Sequence, residues 1–333
     1  MPLRCWVARP GSRSDAPRAI ASAANRLGVY VASAMIRFDY AEPRTLAEAS
    51  AALKGHDGLA SVMAGGTDLL VEIKEQLRRV KCVINIKRIP GLDALTFDAP
   101  TGLRFGALTT ARAIELHADV ACHYPGLTQA VRELGSIQVR HRATVAGNIC
   151  RASPSADTLP PLIADGATVV MGDGVTTREM LLEDFFTGPG KTVLRAGDLV
   201  LAIQLPPPPA APLRTGRAYI KHGRRRAMEL ATVGVAVSLT LDAAHVCVQA
   251  RIALGAVAPT PLRARAAEAV LEGGTVDAAS ITRAAQLAMD AASPISNVRA
   301  SAAYRREMTA VLTRRALEQA LAACGMYGLT PST

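Results

Sequence analysis

Four consecutive prolines, Pro206 to Pro209, constrain the fold of this 333-residue chain more than any other feature. Proline fixes φ and lacks a backbone N–H, so the run cannot lie in a helix or a central strand. A proline run forms a stiff extended spacer, and Pro212 lengthens the interruption. We therefore expect the main boundary here, with one domain over residues 35–208 and a second over residues 213–325.

Short strands and short helices alternate before the prolines. Thr45 and Glu48 form a capping-box pattern, which predicts a helix running to Leu53. Other segments have the periodicity of strands (61–64, 82–86 and 167–171) or of helices (110–117 and 127–134). This alternation favours an α+β fold over a doubly wound parallel sheet.

The segment after the prolines has a different pattern. Residues 231–241 and 246–257 read as two strands joined by a short turn. Three helical stretches follow, around 262–271, 277–291 and 302–322. The pattern predicts a smaller C-terminal domain with an antiparallel hairpin and helices.

Composition excludes several classes of protein. Half of the residues are hydrophobic and only 20% are charged, which indicates a large core rather than global disorder. No run approaches the 18 or more apolar residues of a membrane span. The six cysteines form no CxxC pair and have no zinc-finger spacing to histidine, so we predict a reduced, cytoplasmic chain that binds no metal and no iron–sulfur cluster of its own.

The net charge of +10 is unevenly distributed. Residues 1–34 contain five arginines and one aspartate, and we interpret them as a poorly specified N-terminal extension. Arg224, Arg225 and Arg226 form the one tight basic cluster elsewhere. It lacks the interleaved aromatics of a nucleic-acid stacking platform, so no nucleic-acid partner is expected. A solvated face is favoured, with attraction of an anionic cofactor or an acidic partner subunit as the alternative.

A first glycine-bearing loop follows the strand predicted at 61–64. Its residues are Ala64, Gly65, Gly66, Thr67, Asp68, Leu69 and Leu70. Two glycines allow a sharp turn or a close approach to a ligand, and their N–H groups can converge on an anion such as a pyrophosphate. We expect Asp68 to cap backbone amides or to contact a sugar hydroxyl. An ordinary turn is the alternative when this loop is taken alone.

A second loop lies about 80 residues further along the chain. Its residues are Thr144, Val145, Ala146, Gly147, Asn148 and Ile149, and a Ser/Pro-rich stretch then leads to Asp157. Gly147 permits close approach, Asn148 offers a donor and an acceptor, and Asp157 can accept from ribose hydroxyls. A capped loop is the alternative. The chain has no G-x-G-x-x-G fingerprint, so the two loops suggest FAD clamped from two sides outside a Rossmann fold.

These loops belong to an ordered series of motifs. From Ile36 to about Leu321, the chain resembles the FAD-binding (medium) subunit of molybdenum hydroxylases of the xanthine dehydrogenase and carbon monoxide dehydrogenase type. The resemblance rests on the two loops and on residues 106–110, 138–140, 184–192, 251–261 and 293–299.

The resemblance implies a fold, a cofactor and partners. The fold would be a PCMH-type (vanillyl-alcohol-oxidase-like) FAD-binding domain, followed by a C-terminal domain with an antiparallel sheet and helices. The cofactor-binding positions would be Ala64, Gly65, Gly66, Thr67, Asp68, Leu69, Thr144, Val145, Ala146, Gly147, Asn148, Asp157, Val200 and Lys221. Lys221 would stabilise the anionic reduced flavin. No catalytic residue is named, because flavin reoxidation needs no general base.

The resemblance also implies an oxidoreductase assembled as a heterotrimer. The partners would be a molybdopterin-binding large subunit and a 2Fe-2S small subunit, with NAD, a quinone or oxygen as the electron acceptor. One departure is visible, because the family's Gly-Gly before asparagine is Ala146-Gly147 here. The loop keeps its shape if Ala146 has a negative φ. This departure is the only support for an alternative function, a non-catalytic scaffold that has lost its flavin.

Overall fold

The structure, a computed structural model, describes residues 36–325, so the predicted extension over residues 1–34 lies outside the described part. The described chain is an α+β protein. Its strands are β1 Asp39–Ala41, β2 Ala60–Met63, β3 Cys82–Asn85, β4 Leu95–Asp98, β5 Gly102–Gly106, β6 Thr168–Gly172, β7 Thr177–Leu181, β8 Phe186–Gly188, β9 Lys191–Thr192, β10 Leu199–Leu205, β11 Arg214–His222, β12 Val233–Leu241, β13 Cys247–Gly255 and β14 Leu262–Arg263.

The helices are short before the prolines and longer near the end of the described chain. They are α1 Leu46–Lys54, α2 Leu69–Lys74, α3 Ala111–Leu116, α4 Ala118–His123, α5 Pro125–Glu133, α6 Ile137–Arg140, α7 Val145–Arg151, α8 Leu159–Ala164, α9 Arg265–Ala269, α10 Ala278–Ala291 and α11 Ala302–Ala323. None of the helices in residues 36–325 is long and apolar enough to cross a bilayer.

A small parallel sheet carries the first glycine loop. Its strand order is β1-β3-β2, and the four residues of β3 are all buried because the strand is paired on both sides. The helix predicted from Thr45 is confirmed: the Thr45 Oγ accepts the Glu48 N–H, and α1 runs to Lys54. The Glu48 carboxylate, however, accepts from the Arg44 N–H rather than from the cap residue itself.

A five-stranded antiparallel sheet, in the order β4-β5-β10-β6-β7, forms the second layer of this half of the chain. Side chains from β5, β6 and β10, among them Phe105, Met171 and Ile203, are fully buried. They join one core cluster with β3 and with α7, which packs against β10. The helix that follows Thr144 is therefore held rigidly by the core beneath it.

The C-terminal part is a four-stranded antiparallel sheet, β11-β12-β13-β14, covered by α10 and α11. The predicted hairpin is confirmed as β12 and β13. The predicted helix over 262–271 is wrong at its start, where Leu262 and Arg263 form β14 against β13. The Ala264 N–H also donates to the Ile252 carbonyl, so the sheet takes these residues and α9 begins only at Arg265.

The prolines lie between β10, which ends at Leu205, and β11, which begins at Arg214. Each side of this connection has its own core cluster, while Tyr219 of β11 reaches into the first one. The Tyr124 hydroxyl donates to the Pro206 carbonyl at 2.7 Å and fastens the start of the proline run to α5. The two sheets are thus joined by a fixed connection.

Candidate functional site

The two glycine-bearing loops contact each other. A Cβ atom added to Gly65 would collide with the carbonyl oxygen of Arg142 and would lie 3.0 Å from the Cα of Ala143, just before Thr144. Only glycine permits this approach of two backbones. A cleft of about 190 Å³ lies at the junction, lined by Ala64, Lys87, Leu108, Thr110, His141, Arg142 and Thr144.

The first loop offers backbone donors that the protein does not use. Among the described residues, no acceptor is bonded to the N–H groups of Gly65, Gly66, Thr67 or Asp68. Gly66 has φ +79°, a left-handed conformation that glycine adopts without strain. Successive N–H groups in such a turn form a concavity that binds anions. Leu69 is buried and packs into a small core, so it contributes backbone only.

Asp68 precedes α2 but its side chain caps no backbone amide, contrary to one of the two roles that we expected. The backbone at Asp68 is already α-helical, with φ −92° and ψ −47°. A capping side chain needs an extended backbone at this position to reach the amides of the first turn. The exposed carboxylate is left for the other expected role, a contact with a sugar hydroxyl.

The second loop is the first turn of α7. Thr144 is its N-cap, and its Oγ accepts the Gly147 N–H at 3.0 Å. Val145 and Ala146 are buried in the core, so their side chains cannot face a ligand. Gly147 is exposed, and an added Cβ would meet only the Thr144 Oγ within 4 Å, at 2.9 Å. Gly147 thus presents an open face of the helix start to solvent.

Ala146 lies within α7 and has no positive φ. Alanine is the most favourable residue in a helix interior, and its methyl group here fills core space. The departure from Gly-Gly at this position therefore leaves the loop intact. The presence of alanine at position 146 therefore no longer supports the alternative of a scaffold that has lost its flavin.

The cleft between the loops is lined by basic side chains and by no acidic ones. Lys87, His141 and Arg142 lie on its wall. Burial, followed by the positive charge of Arg142, lowers the pKa of Lys87, while the charge of Glu42 acts in the opposite direction. Two cations therefore face the same space, and neither makes an ion pair there among the described residues. Such a site suits an anion. Sequence reasoning missed Lys87 and Arg142, although the basic run 140–142 directly before Thr144 was a usable signal.

Asp157 and Lys221 lie against each other rather than in this cleft. The Lys221 Nζ is 2.9 Å from the Asp157 Oδ2, and the two side chains are only 5% and 9% exposed. The Tyr219 hydroxyl donates to the other carboxylate oxygen at 3.1 Å, and Lys221 also donates to the Glu133 carbonyl. Burial raises the pKa of Asp157 to about 6, although Lys221 and Tyr219 both act to lower it.

The second loop is linked to this ion pair through neighbouring residues. The Thr158 hydroxyl donates to the Asn148 Oδ1 at 2.6 Å, and Thr158 follows Asp157 in the chain. Val200 is buried in β10, at an irregularity in its pairing with β6. Among the predicted site residues, the structure therefore brings the two loops into contact and, separately, pairs Asp157 with Lys221. Val200 lies apart from both, in the core.

A larger cleft of about 360 Å³ has residues of both α2 and α7 in its wall. It is lined by Glu72, Leu77, Arg78, Cys150, Arg151 and Gly190. Glu72 pairs with both Arg78 and Arg151, at 3.6 and 2.7 Å. The smaller cleft is below the roughly 300–1,000 Å³ of typical ligand pockets, so it can hold only part of a dinucleotide.

Comparison with known proteins gives a matching family for each half of the chain. Residues 36–208 match the family described as the FAD binding domain in molybdopterin dehydrogenase. The chain belongs to this family. Residues 218–320 match the CO dehydrogenase flavoprotein C-terminal domain, as a medium subunit of the molybdenum hydroxylases requires.

Individual relatives agree with this membership. The carbon monoxide dehydrogenase medium chain of Afipia carboxidovorans is 31% identical over 86% of this chain and 97% of its own length. The xanthine dehydrogenase FAD-binding subunit of Escherichia coli O157:H7 is 29% identical over 80% of this chain and 90% of its own length. A chain of the carbon monoxide dehydrogenase from Hydrogenophaga pseudoflava superposes with a TM-score of 0.83 at 32% identity, covering 88% of this chain and all of its own.

This molybdenum hydroxylase subunit is part of an oxidoreductase, and FAD is its cofactor. The residues present fit that group. Lys87, Arg142 and the N-cap Thr144 line one cleft, and Ala64 on its wall leads into the unused N–H groups of Gly65 to Asp68, which matches the negative charge of a diphosphate. The described residues contain no cluster of side chains that could hold a metal ion.

Proposed function

We propose that this chain binds FAD with its diphosphate between residues 64–69 and residues 144–148, and that it transfers electrons within a three-subunit molybdenum hydroxylase. The observation that supports this most directly is the contact between the two loops at Gly65 and Arg142. Residues 77 positions apart in the sequence meet there, at a cationic cleft lined by Ala64 from the first loop and by Thr144, the N-cap of α7.

Individual residues have separate roles in this proposal. The N–H groups of Gly65 to Asp68 would donate to the diphosphate oxygens, while Lys87 and Arg142 would neutralise its charge. Gly147 would leave room for the phosphates beside the helix start, and Asn148 is held in position by Thr158. Leu69, Val145, Ala146 and Val200 would act through their backbone or through packing.

Asp157 and Lys221 would face the polar edge of the flavin ring from the domain junction. Before a ligand arrives, the two side chains are held by each other, by Tyr219 and by the Glu133 carbonyl. A lysine ammonium at the flavin edge favours the anionic reduced form and so raises the reduction potential. Flavin binding there needs the 2.9 Å ion pair to open or to shift.

When bound, FAD supplies the redox chemistry that collects electrons in pairs. We propose that the electrons come from the iron–sulfur clusters of a 2Fe-2S small subunit, that a molybdopterin-binding large subunit hydroxylates the substrate, and that NAD, a quinone or oxygen is the acceptor. The five cysteines in the described residues are all free thiols, which supports work in the reducing cytoplasm.

The proposal is tested by measuring bound flavin in the purified protein and in two glycine-to-valine variants. We expect a flavin absorption band with about one FAD per chain, retained in Gly274→Val, since nothing lies within 4 Å of a Cβ added there. Gly147→Val should lose most of the flavin, and flavin is counted per folded chain, because the added Cβ lies 2.9 Å from the Thr144 Oγ that caps α7. Full flavin occupancy in folded Gly147→Val would contradict the assigned loops.

A further inference from the structure

A buried hydroxyl from outside the second loop holds the side chain of Asn148. The Thr158 Oγ is 2.6 Å from the Asn148 Oδ1. Thr158 lies just before α8, ten positions further along the chain, and is fully buried, while Asn148 is half-buried. The contact thus joins a residue of the predicted FAD site to one that no sequence motif indicated.

The Thr158 hydroxyl has no capping role in its own helix. Thr158 occupies the N-cap position of α8, where a threonine side chain often accepts a backbone N–H. The backbone here is already helical, with φ −77° and ψ −17°, and the side chain caps no amide. Within residues 36–325, the Asn148 Oδ1 is the one hydrogen-bond partner of this hydroxyl. Its only polar contact is therefore with the candidate site.

This contact decides which end of the Asn148 amide faces outward. A side-chain amide has an oxygen that accepts hydrogen bonds and an NH₂ group that donates them. The proton of a buried hydroxyl needs an acceptor, and Thr158 finds it in the Asn148 oxygen. If the amide were turned round, its NH₂ group would face the hydroxyl, and the hydroxyl proton would be buried without a partner. The oxygen therefore faces Thr158, and the Nδ2 group faces the other way.

The Nδ2 group of Asn148 is an unused donor. It has no acceptor in the described part of the chain, and it is not among the buried polar atoms that lack a partner, so it reaches solvent. Gly147 beside it is exposed, and a Cβ added there would meet only the Thr144 Oγ within 4 Å. An oriented donor thus lies next to an open surface.

We propose that Thr158 is a positioning residue for FAD, and that its hydroxyl holds Asn148 so that Nδ2 donates to an oxygen of the diphosphate. This inference rests on the proposed function, which places residues 144–148 at the diphosphate. Phosphate oxygens accept hydrogen bonds, so an outward NH₂ group attracts them, whereas an outward amide oxygen would repel them. Of the two roles open to asparagine, Asn148 therefore has that of a donor.

The first test titrates the flavin-free protein with FAD and with riboflavin, followed by flavin fluorescence. Thr158→Val removes the hydroxyl at nearly constant volume, and it should weaken FAD binding roughly tenfold, about 1.4 kcal/mol, without changing riboflavin affinity. Thr158→Ser keeps the hydroxyl and should restore FAD binding. Thr313→Val is the matched control, because Thr313 is also fully buried but its hydroxyl has no partner in the described residues.

Asn148→Asp tests the direction of the amide separately. Its carboxylate still accepts from the Thr158 hydroxyl, so the contact between the two segments is kept, but its outward oxygen cannot donate and adds negative charge. We expect a roughly hundredfold loss of FAD affinity, because a charge-assisted hydrogen bond is replaced by repulsion. Unfolding temperatures of the flavin-free variants show whether each one is folded.

The outcomes separate this inference from the FAD assignment. A purely structural Thr158 would alter the unfolding temperature and leave the preference for FAD over riboflavin unchanged, which would overturn the inference. FAD binding at wild-type strength by folded Asn148→Asp would overturn the donor role, and equal losses of FAD and riboflavin in Thr158→Val would overturn the contact with the diphosphate. A wild-type protein that binds FAD and riboflavin equally would instead overturn the proposed function, and this inference with it.

Discussion

Two buried ion pairs join β11 to the N-terminal half of the chain, and they differ in ways that separate function from structure. One face of β11 carries Arg217, Tyr219 and Lys221, because residues two positions apart in a strand point to the same side. Lys221 pairs with Asp157, which precedes α8, while Arg217 pairs with Asp165, which is the C-cap of the same helix. The short helix α8 is thus joined to β11 by two carboxylates, Asp157 just before its N-terminus and Asp165 at its C-terminus.

The two acids have different surroundings. Asp165 lies at the negative end of α8, where a carboxylate is disfavoured, and its partner Arg217 also lies 5.3 Å from the centre of the Tyr124 ring. Asp157 lies before the positive end of α8 and next to Thr158, which contacts Asn148 of the second loop. A planar arginine stacked on a ring is locked, whereas a lysine ammonium can exchange acceptors. We therefore predict that Arg217 with Asp165 is a structural pair, and that Lys221 with Asp157 is the pair that responds to a ligand.

The largest expected effect is on the structural pair. Arg217→Met removes the ion-pair partner of Asp165 at the C-terminal end of α8, which leaves it a hydrogen bond with Ser238 and the charge of Arg251, and it removes the contact with Tyr124. Breaking a buried pair costs about 3–5 kcal/mol of unfolding free energy, measured by denaturant titration. Flavin per folded chain should stay at the wild-type level; a selective loss of flavin would remove the distinction between the pairs.

Lys221→Met should have a smaller effect on stability and a larger effect on flavin. Asp157 keeps its hydrogen bond from Tyr219 and can take up a proton, because burial has already raised its pKa to about 6. We expect a loss of about 2–3 kcal/mol of unfolding free energy, together with a lower flavin reduction potential. Lys221→Arg, which keeps the charge, should recover most of the potential. A wild-type potential in Lys221→Met would contradict the role at the flavin edge.

The pH dependence of stability sharpens the same comparison. The pKa of Asp157 is raised on folding, so the folded state binds more protons than the unfolded state between about pH 4 and pH 6. Its contribution to stability is therefore complete below pH 4 and is lost as the pH rises to about 6. The difference in unfolding free energy between wild type and Asp157→Asn should change by roughly 2–3 kcal/mol over this range. A constant difference would contradict the raised pKa.

The smallest expected effect concerns Ala146. Ala146→Gly restores the glycine pair of the family, but it places a flexible residue in α7 and removes a buried methyl group. We expect a loss of about 1 kcal/mol in unfolding free energy, with unchanged FAD affinity. Tighter FAD binding in this variant would show that the alanine methyl hinders the cofactor.

The sequence predicts the parts of the fold that local patterns encode. The Thr45 cap, the hairpin β12–β13 and the proline connection all follow from short-range chemistry. The predicted start of the first C-terminal helix, over 262–271, was wrong because pairing with β13 draws Leu262 and Arg263 into the sheet, and no local signal reports such pairing.

The candidate site, like the fold, was predictable from the sequence only in its local motifs. Both glycine loops are visible in the sequence, yet no sequence pattern shows that the backbone of Gly65 lies against that of Arg142. Lys87 comes to the cleft from the end of β3, through the fold alone. The pairing of Asp157 with Lys221 joins residues 64 positions apart, so single-sequence reasoning named both but did not bring them together.

The central claim, that the two glycine loops form one cradle for a diphosphate, is tested most directly by titrating the flavin-free protein with FAD and with riboflavin, which has no phosphate. Two charge-assisted hydrogen bonds of about 1.5 kcal/mol each predict that FAD binds roughly a hundredfold more tightly, and that Arg142→Gln reduces this preference. Equal affinities for FAD and riboflavin, unaffected by Arg142→Gln, would contradict the account.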